Sequence, residues 1–151
     1  MGCTSSSNFS KTNNPLTLGN SLEIKDTGHK KGVNSMCFVD TNSIIATSYD
    51  KTISIIDIKT KMYKLINLHA SIVRSICLIR DGLIASSSED GTVKIWDSPS
   101  GIVKLIIVSD SNIGFICSIT LVANDVIACG SNSGLIMVKN ILIYNQFKII
   151  E

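Results

Sequence analysis

Short apolar runs separated by turn-forming residues set the rhythm of this chain. Residues 71–79 form one such run, and Asp81-Gly82 after it is a turn signal. Residues 83–88 form a second run, closed by the tight turn Glu89-Asp90-Gly91. Thr92-Val93-Lys94-Ile95-Trp96-Asp97 then alternates apolar and polar positions as a half-buried strand does, and residues 102–107 form a fourth run after a Ser/Pro/Gly loop. No segment holds a sustained 3.6-residue period, so the pattern predicts strands and essentially no helix.

The rhythm returns at a period near 40. His29 and His69 lie 40 residues apart, as do Asp50 and Asp90, and Asp57 and Asp97; Cys37, Cys77 and Cys117 follow at the same interval. A fixed period of this size is the mark of stacked structural units. Four short strands in about 40 residues make one blade of a propeller. Three units are therefore expected within residues 21–151, at about 29–68, 69–108 and 109–151, after a Ser/Thr/Asn-rich tail over residues 1–20 that should act as a flexible tether.

The second unit carries the most specific pattern. His69, the small-residue run Ala85-Ser86-Ser87-Ser88, the turn Glu89-Asp90-Gly91 and the terminal Trp96-Asp97 together resemble the signature of the WD-repeat β-propeller family. The resemblance implies that a hydrogen-bonded chain braces this blade through His69, Ser86, Asp90 and Trp96. The first unit is similar, aligned with one residue fewer at its turn; it keeps His29, Thr47 and Asp50 and has Ile56 in place of the tryptophan. In the third unit Ser109, Cys129, Ser133 and Lys139 stand at the bracing positions, with about three extra residues between Cys117 and Ala128. The family often places an outer strand ahead of its first repeat, for which residues 16–18 or 21–24 are the candidates.

The expected fold is all-β, a partial β-propeller of about three four-stranded antiparallel WD-repeat blades and not a closed ring, since propellers use about four to eight blades. Each end blade would then present an apolar face, which self-association or docking on another propeller would cover.

Composition agrees with strands. Of the 151 residues 44% are hydrophobic, only 17% are charged and 5% are aromatic, so the apolar content is mostly aliphatic and much of it β-branched. Mean hydropathy is +0.31. The formal charge of +2, with Arg74 and Arg80 the only arginines, leaves no basic stripe of the kind that binds nucleic acid. Residues 111–138 contain no Lys or Arg and a single acid, Asp125, but Asn124-Asp125 and the polar residues 130–134 interrupt a run that would need about 20 apolar residues to span a membrane.

The N-terminus adds a different signal. Met1-Gly2-Cys3-Thr4-Ser5-Ser6 fits N-myristoylation at Gly2, with Cys3 beside it as a palmitoylation acceptor. One myristoyl chain gives only marginal membrane binding, on the order of 10⁴ M⁻¹, so Cys3 is the natural second anchor. No secretory leader is legible, and five cysteines without a CxxC pair or Cys/His cluster indicate a reducing, cytoplasmic setting, peripheral to a membrane if acylated.

Ser86, His69 and Asp90 are also the residue types of a hydrolase triad, but no nucleophile-elbow glycines surround Ser86, and a structural brace accounts for the same three residues. The cysteines at 40-residue spacing read as packed thiols at one inner-strand position. No catalytic, cofactor or metal site is expected. The chain reads as a non-enzymatic interaction scaffold whose partners are proteins or peptides and, through acyl groups, a membrane, but not nucleic acid. The alternatives are a part or truncated copy of a longer WD-repeat protein, and a substrate-recruiting subunit of a larger enzyme complex.

Overall fold

The computed structural model describes residues 22–109 and 112–142, which form strands in three antiparallel sheets. Blade 1 contains β1 (Val33–Phe38), β2 (Ser43–Ser48), β3 (Ile53–Asp57) and β4 (Tyr63–Ile66), in that spatial order. Blade 2 repeats the arrangement with β5 (Val73–Arg80), β6 (Leu83–Ser88), β7 (Thr92–Asp97) and β8 (Val103–Val108). Blade 3 has three strands among the described residues, β9 (Ile116–Ala123), β10 (Val126–Ser131) and β11 (Ile136–Asn140); residues 143–151 lie outside them. Among the described residues no helix is long and apolar enough to cross a membrane. Residues 22–24 carry no strand, so of the two candidates for an outer strand the described part of 21–24 does not form one, and 16–18 lie outside the described residues.

Strand pairing corrects two details of the sequence alignment. Ser35 pairs Thr47 and Thr47 pairs Ile53, as Ser75 pairs Ser87 and Ser87 pairs Val93. The turns of blades 1 and 2 are thus equally long, and no residue is missing from the first. Ala46, not Thr47, stands where blade 2 has Ser86. Because strand side chains alternate, that one-residue slip puts Thr47 on the opposite face from the brace.

The second correction concerns the cysteines. Cys37 pairs Ile45 and Cys77 pairs Ala85, but the equivalent position of blade 3 is Thr120, which pairs Ala128. The extra residues fall before Ile116, in the connection between blades, and not inside the hairpin. Cys117 lies instead at an irregularity between Ile116 and Ser118 that recurs in all three inner strands, between Val33 and Ser35 and between Val73 and Ser75. A bulge re-aims the extra side chain. Asn34 uses this to donate from Nδ2 to the Val73 carbonyl of blade 2 at 2.8 Å, Arg74 uses it to reach Glu89, and Cys117 is exposed.

The apolar cores lie between blades. Ile45 and Ile53 of blade 1 pack with Val73, Ile76, Ile84 and Trp96 of blade 2. Ala85, Val93, Ile95 and Ile107 of blade 2 pack with Ile116, Ile119, Ile127 and Cys129 of blade 3. Adjacent residues Ile84 and Ala85 thus serve different cores, as period-two alternation requires. Each blade has a leading face toward the preceding blade and a trailing face toward the next, and the middle blade is buried on both.

Candidate functional site

The brace of blade 2 starts from a carboxylate at the β6–β7 turn. Asp90 Oδ1 accepts from the Thr92 amide at 3.0 Å and the Thr92 hydroxyl at 2.6 Å, which fixes the turn. Asp90 Oδ2 accepts from the Ala70 amide at 2.9 Å and from His69 Nδ1 at 3.0 Å. With Nδ1 as the donor, His69 Nε2 is an acceptor, and the Ser86 hydroxyl donates to it at 2.8 Å. Trp96 Nε1 donates in turn to Ser86 Oγ at 3.1 Å. The structure therefore brings His69, Ser86, Asp90 and Trp96 into one chain, and Thr92 is a fifth member.

Protonation states follow from this geometry. Burial pushes the His69 pKa down, against the pull of Asp90, and so favours the neutral ring. Burial pushes the Asp90 carboxyl up, but the Thr92 hydroxyl, the Ala70 amide and His69 outweigh it and hold the group below its ordinary range. Ser86 is fully buried, with its proton committed to His69 and its oxygen occupied by the indole N–H. No substrate carbonyl has a path to that oxygen, so the three triad-type residues work as a clamp.

Blade 1 builds a related clamp from different atoms. His29 Nδ1 donates to Thr52 Oγ1 at 2.9 Å, Thr52 passes the contact to Asp50 at 2.5 Å, and the Asp50 carboxylate itself stands 3.5 Å from the ring. Burial raises the Asp50 pKa, while bonds from Thr52 and the Lys30 amide bring it well below the usual carboxylate range. His29 Nε2 is met by Ser54 Oγ from β3 at 2.8 Å. Thr47 is not part of this chain; its hydroxyl donates to the Ser35 carbonyl. Thr52 and Ser54 were missed in the sequence, although the Asp-x-Thr spacing recurs at Asp50–Thr52 and Asp90–Thr92 and is a readable signal.

Blade 3 joins none of its bracing positions. The Ser109 hydroxyl donates to the Gly114 carbonyl and the Ser133 hydroxyl to the Ile113 carbonyl, both at 2.8 Å. Cys129 is buried, its thiol pushed up by burial to about 11, so it is an unreactive packing group. Asp57 and Asp97 cap loops at the far end of blades 1 and 2, accepting from the amides of Thr60 and Ser100. Gly2 and Cys3 lie outside the described residues. Among the described residues no group of three His, Cys, Asp or Glu could hold a metal ion.

The end of the blades that carries the braces also carries an exposed rim. There the Arg74 guanidinium sits 5.4 Å from the centre of the Tyr49 ring and pairs with Glu89, joining blade 1 to blade 2. Lys30, Lys31 and Lys51 are exposed in the same loops. Aromatic and arginine side chains of this kind are the usual anchors of protein contacts.

The WD domain, G-beta repeat family model matches residues 20–57 and 60–97. The chain belongs to the WD40-repeat family. Among solved structures it is similar to the WD40 β-propeller domain of Doa1, at 32% identity and a TM-score of 0.67 over 73% of this chain. It is similar in fold to the computationally designed protein Ika8, at 24% identity and a TM-score of 0.64 over 76% of this chain. The chain spans only 37% and 35% of those two proteins. No curated protein matches it. WD40 propellers typically mediate protein–protein interaction and are typically non-enzymatic.

Proposed function

We propose that this WD40 chain is a non-enzymatic protein-interaction scaffold, held at the cytosolic face of a membrane by acyl groups on Gly2 and Cys3. The observation that carries the scaffold reading is the fate of its one hydrolase-like set. Ser86, His69 and Asp90 are spent on holding blade 2 together, while Tyr49 and the Arg74–Glu89 pair reach solvent at the rim. The tether is supported by the sequence at Gly2, Cys3 and Ser6 and by the need for two lipid signals in stable anchoring. The 37% share of the Doa1 domain favours a second reading, in which these blades work as one part of a larger propeller.

Metabolic labelling with a myristate analogue tests the tether. Label should enter the wild-type chain and vanish in Gly2→Ala, and the unlabelled variant should move from the membrane to the soluble fraction. An unlabelled wild type removes the tether and leaves the scaffold standing. Proximity labelling with the wild type and with Tyr49→Ala/Arg74→Ala tests the rim. Partners lost in the double variant support it, and an unchanged partner list overturns it.

A further inference from the structure

The outer faces of described blades 1 and 3 match, position by position, the two halves of the internal interfaces. On the trailing face of blade 2, Ile79, Val93 and Ile95 are buried against blade 3, at 7%, 0% and 2% exposure. The register of β9 to β11 puts Val122, Ile136 and Val138 at the same three positions of blade 3, where they are 59%, 78% and 60% exposed. The leading face of blade 2 buries Ile76 against blade 1, with Leu78 packed beside it. The same positions in blade 1 are Met36 and Phe38, exposed at 63% and 61%.

From this continuity with the two internal interfaces we propose that the trailing face of blade 3 docks on the leading face of blade 1 in a second copy of the chain. The contact surfaces are aliphatic and aromatic, without charge at the five exposed positions, which is the chemistry by which blades 1, 2 and 3 already pack. A head-to-tail contact between two copies is heterologous, and it closes when the return contact forms between the same pair. The three described blades of two copies give six, inside the range of about four to eight that propellers use. The proposal does not rest on the acyl tether or on the Tyr49–Arg74 rim.

Light scattering on the purified full chain tests it. The expected mass is twice the 16.3 kDa of one chain. Ile136→Lys/Val138→Lys removes the trailing face and Phe38→Lys the leading face, and each variant alone should be monomeric. All three side chains are exposed, so each variant should keep the wild-type circular dichroism spectrum. Mixing the two variants should restore a dimer, because one intact trailing face then meets one intact leading face. A monomeric wild type overturns the proposal. So does association that survives both sets of substitutions, or a mixture that stays monomeric while both variants are folded.

Discussion

Blades 1 and 2 share one 40-residue register and hold their turns in different ways. Blade 2 has Trp96 and Ser86, and blade 1 has Ile56 and Ala46 at the same two places. The indole N–H and the hydroxyl that receives it are thus absent together. Losing only one would leave a buried donor or acceptor unpaired, at about 1–3 kcal/mol. The histidine of blade 1 still needs a partner for Nε2, and Ser54 on the neighbouring strand supplies it, at the position where blade 2 has Lys94. The difference teaches that the unit preserved between repeats is a satisfied hydrogen-bond chain and not a set of residues.

The comparison breaks most visibly at Asp90. Asp90→Ala strips His69, Thr92 and the Ala70 amide of their common acceptor and should cost about 2–3 kcal/mol in urea unfolding. A loss within about half a kcal/mol would make Asp90 an ordinary surface turn residue. Next comes the transplant of the blade 1 pair into blade 2. Ser86→Ala alone should cost about 1–3 kcal/mol by orphaning the indole N–H. Adding Trp96→Ile should then cost less than its own single loss, with a coupling of about 0.5–3 kcal/mol in the double-mutant cycle. Strict additivity would mean that the Trp96–Ser86 bond contributes nothing.

A pH series sharpens the same contrast. The folded pKa of His69 lies below the unfolded value of about 6.5, so the unfolded chain binds more protons just under that pH. Stability should be full above about 6.5 and fall as the pH drops toward the folded value, and His69→Gln should flatten this limb. Asp90 has the opposite charge but the same slope: its contribution is present above about 3.9 and lost as the pH falls through its depressed folded value.

The smallest effect lies in the turns. Lys51 and Lys61 adopt φ of 75° and 58° where blade 2 has Gly91 and Gly101 at 77° and 75°. Left-handed backbone is costly for a residue with Cβ, so Lys51→Gly and Lys61→Gly should each stabilise by about 0.5–1 kcal/mol, read as a raised Tm. A drop in Tm would show that contacts of the lysine side chains, such as that of Lys51 with the Ala70 carbonyl, outweigh the strain.

The strand order and the two inter-blade cores were legible because period-two alternation and the 40-residue repeat reinforce each other. His69, Ser86, Asp90 and Trp96 were readable from the resemblance of the second unit to the WD-repeat signature. Thr47 was misplaced because an alignment with one residue fewer at the turn sets it against Ser86, whereas the pairing sets Ala46 there and the chain closes through Ser54 on the next strand. Cys117 was misplaced for a related reason: numerical spacing cannot tell an insertion between blades from one inside a hairpin, and only the pairing of Thr120 with Ala128 settles it. Pairs such as Arg80 with Asp125, which join blades across 45 residues of sequence, leave no periodic trace at all.

Because every core is shared, no blade owns the apolar contacts that keep it folded. Stability then belongs to junctions, and amide hydrogen exchange should be slowest in β6 and β7, where two junctions meet, and faster toward either end. A cut at a repeat boundary passes through the middle of one core, and a cut between β6 and β7 passes through two, since Ile84 and Trp96 serve the first and Ala85, Val93 and Ile95 the second.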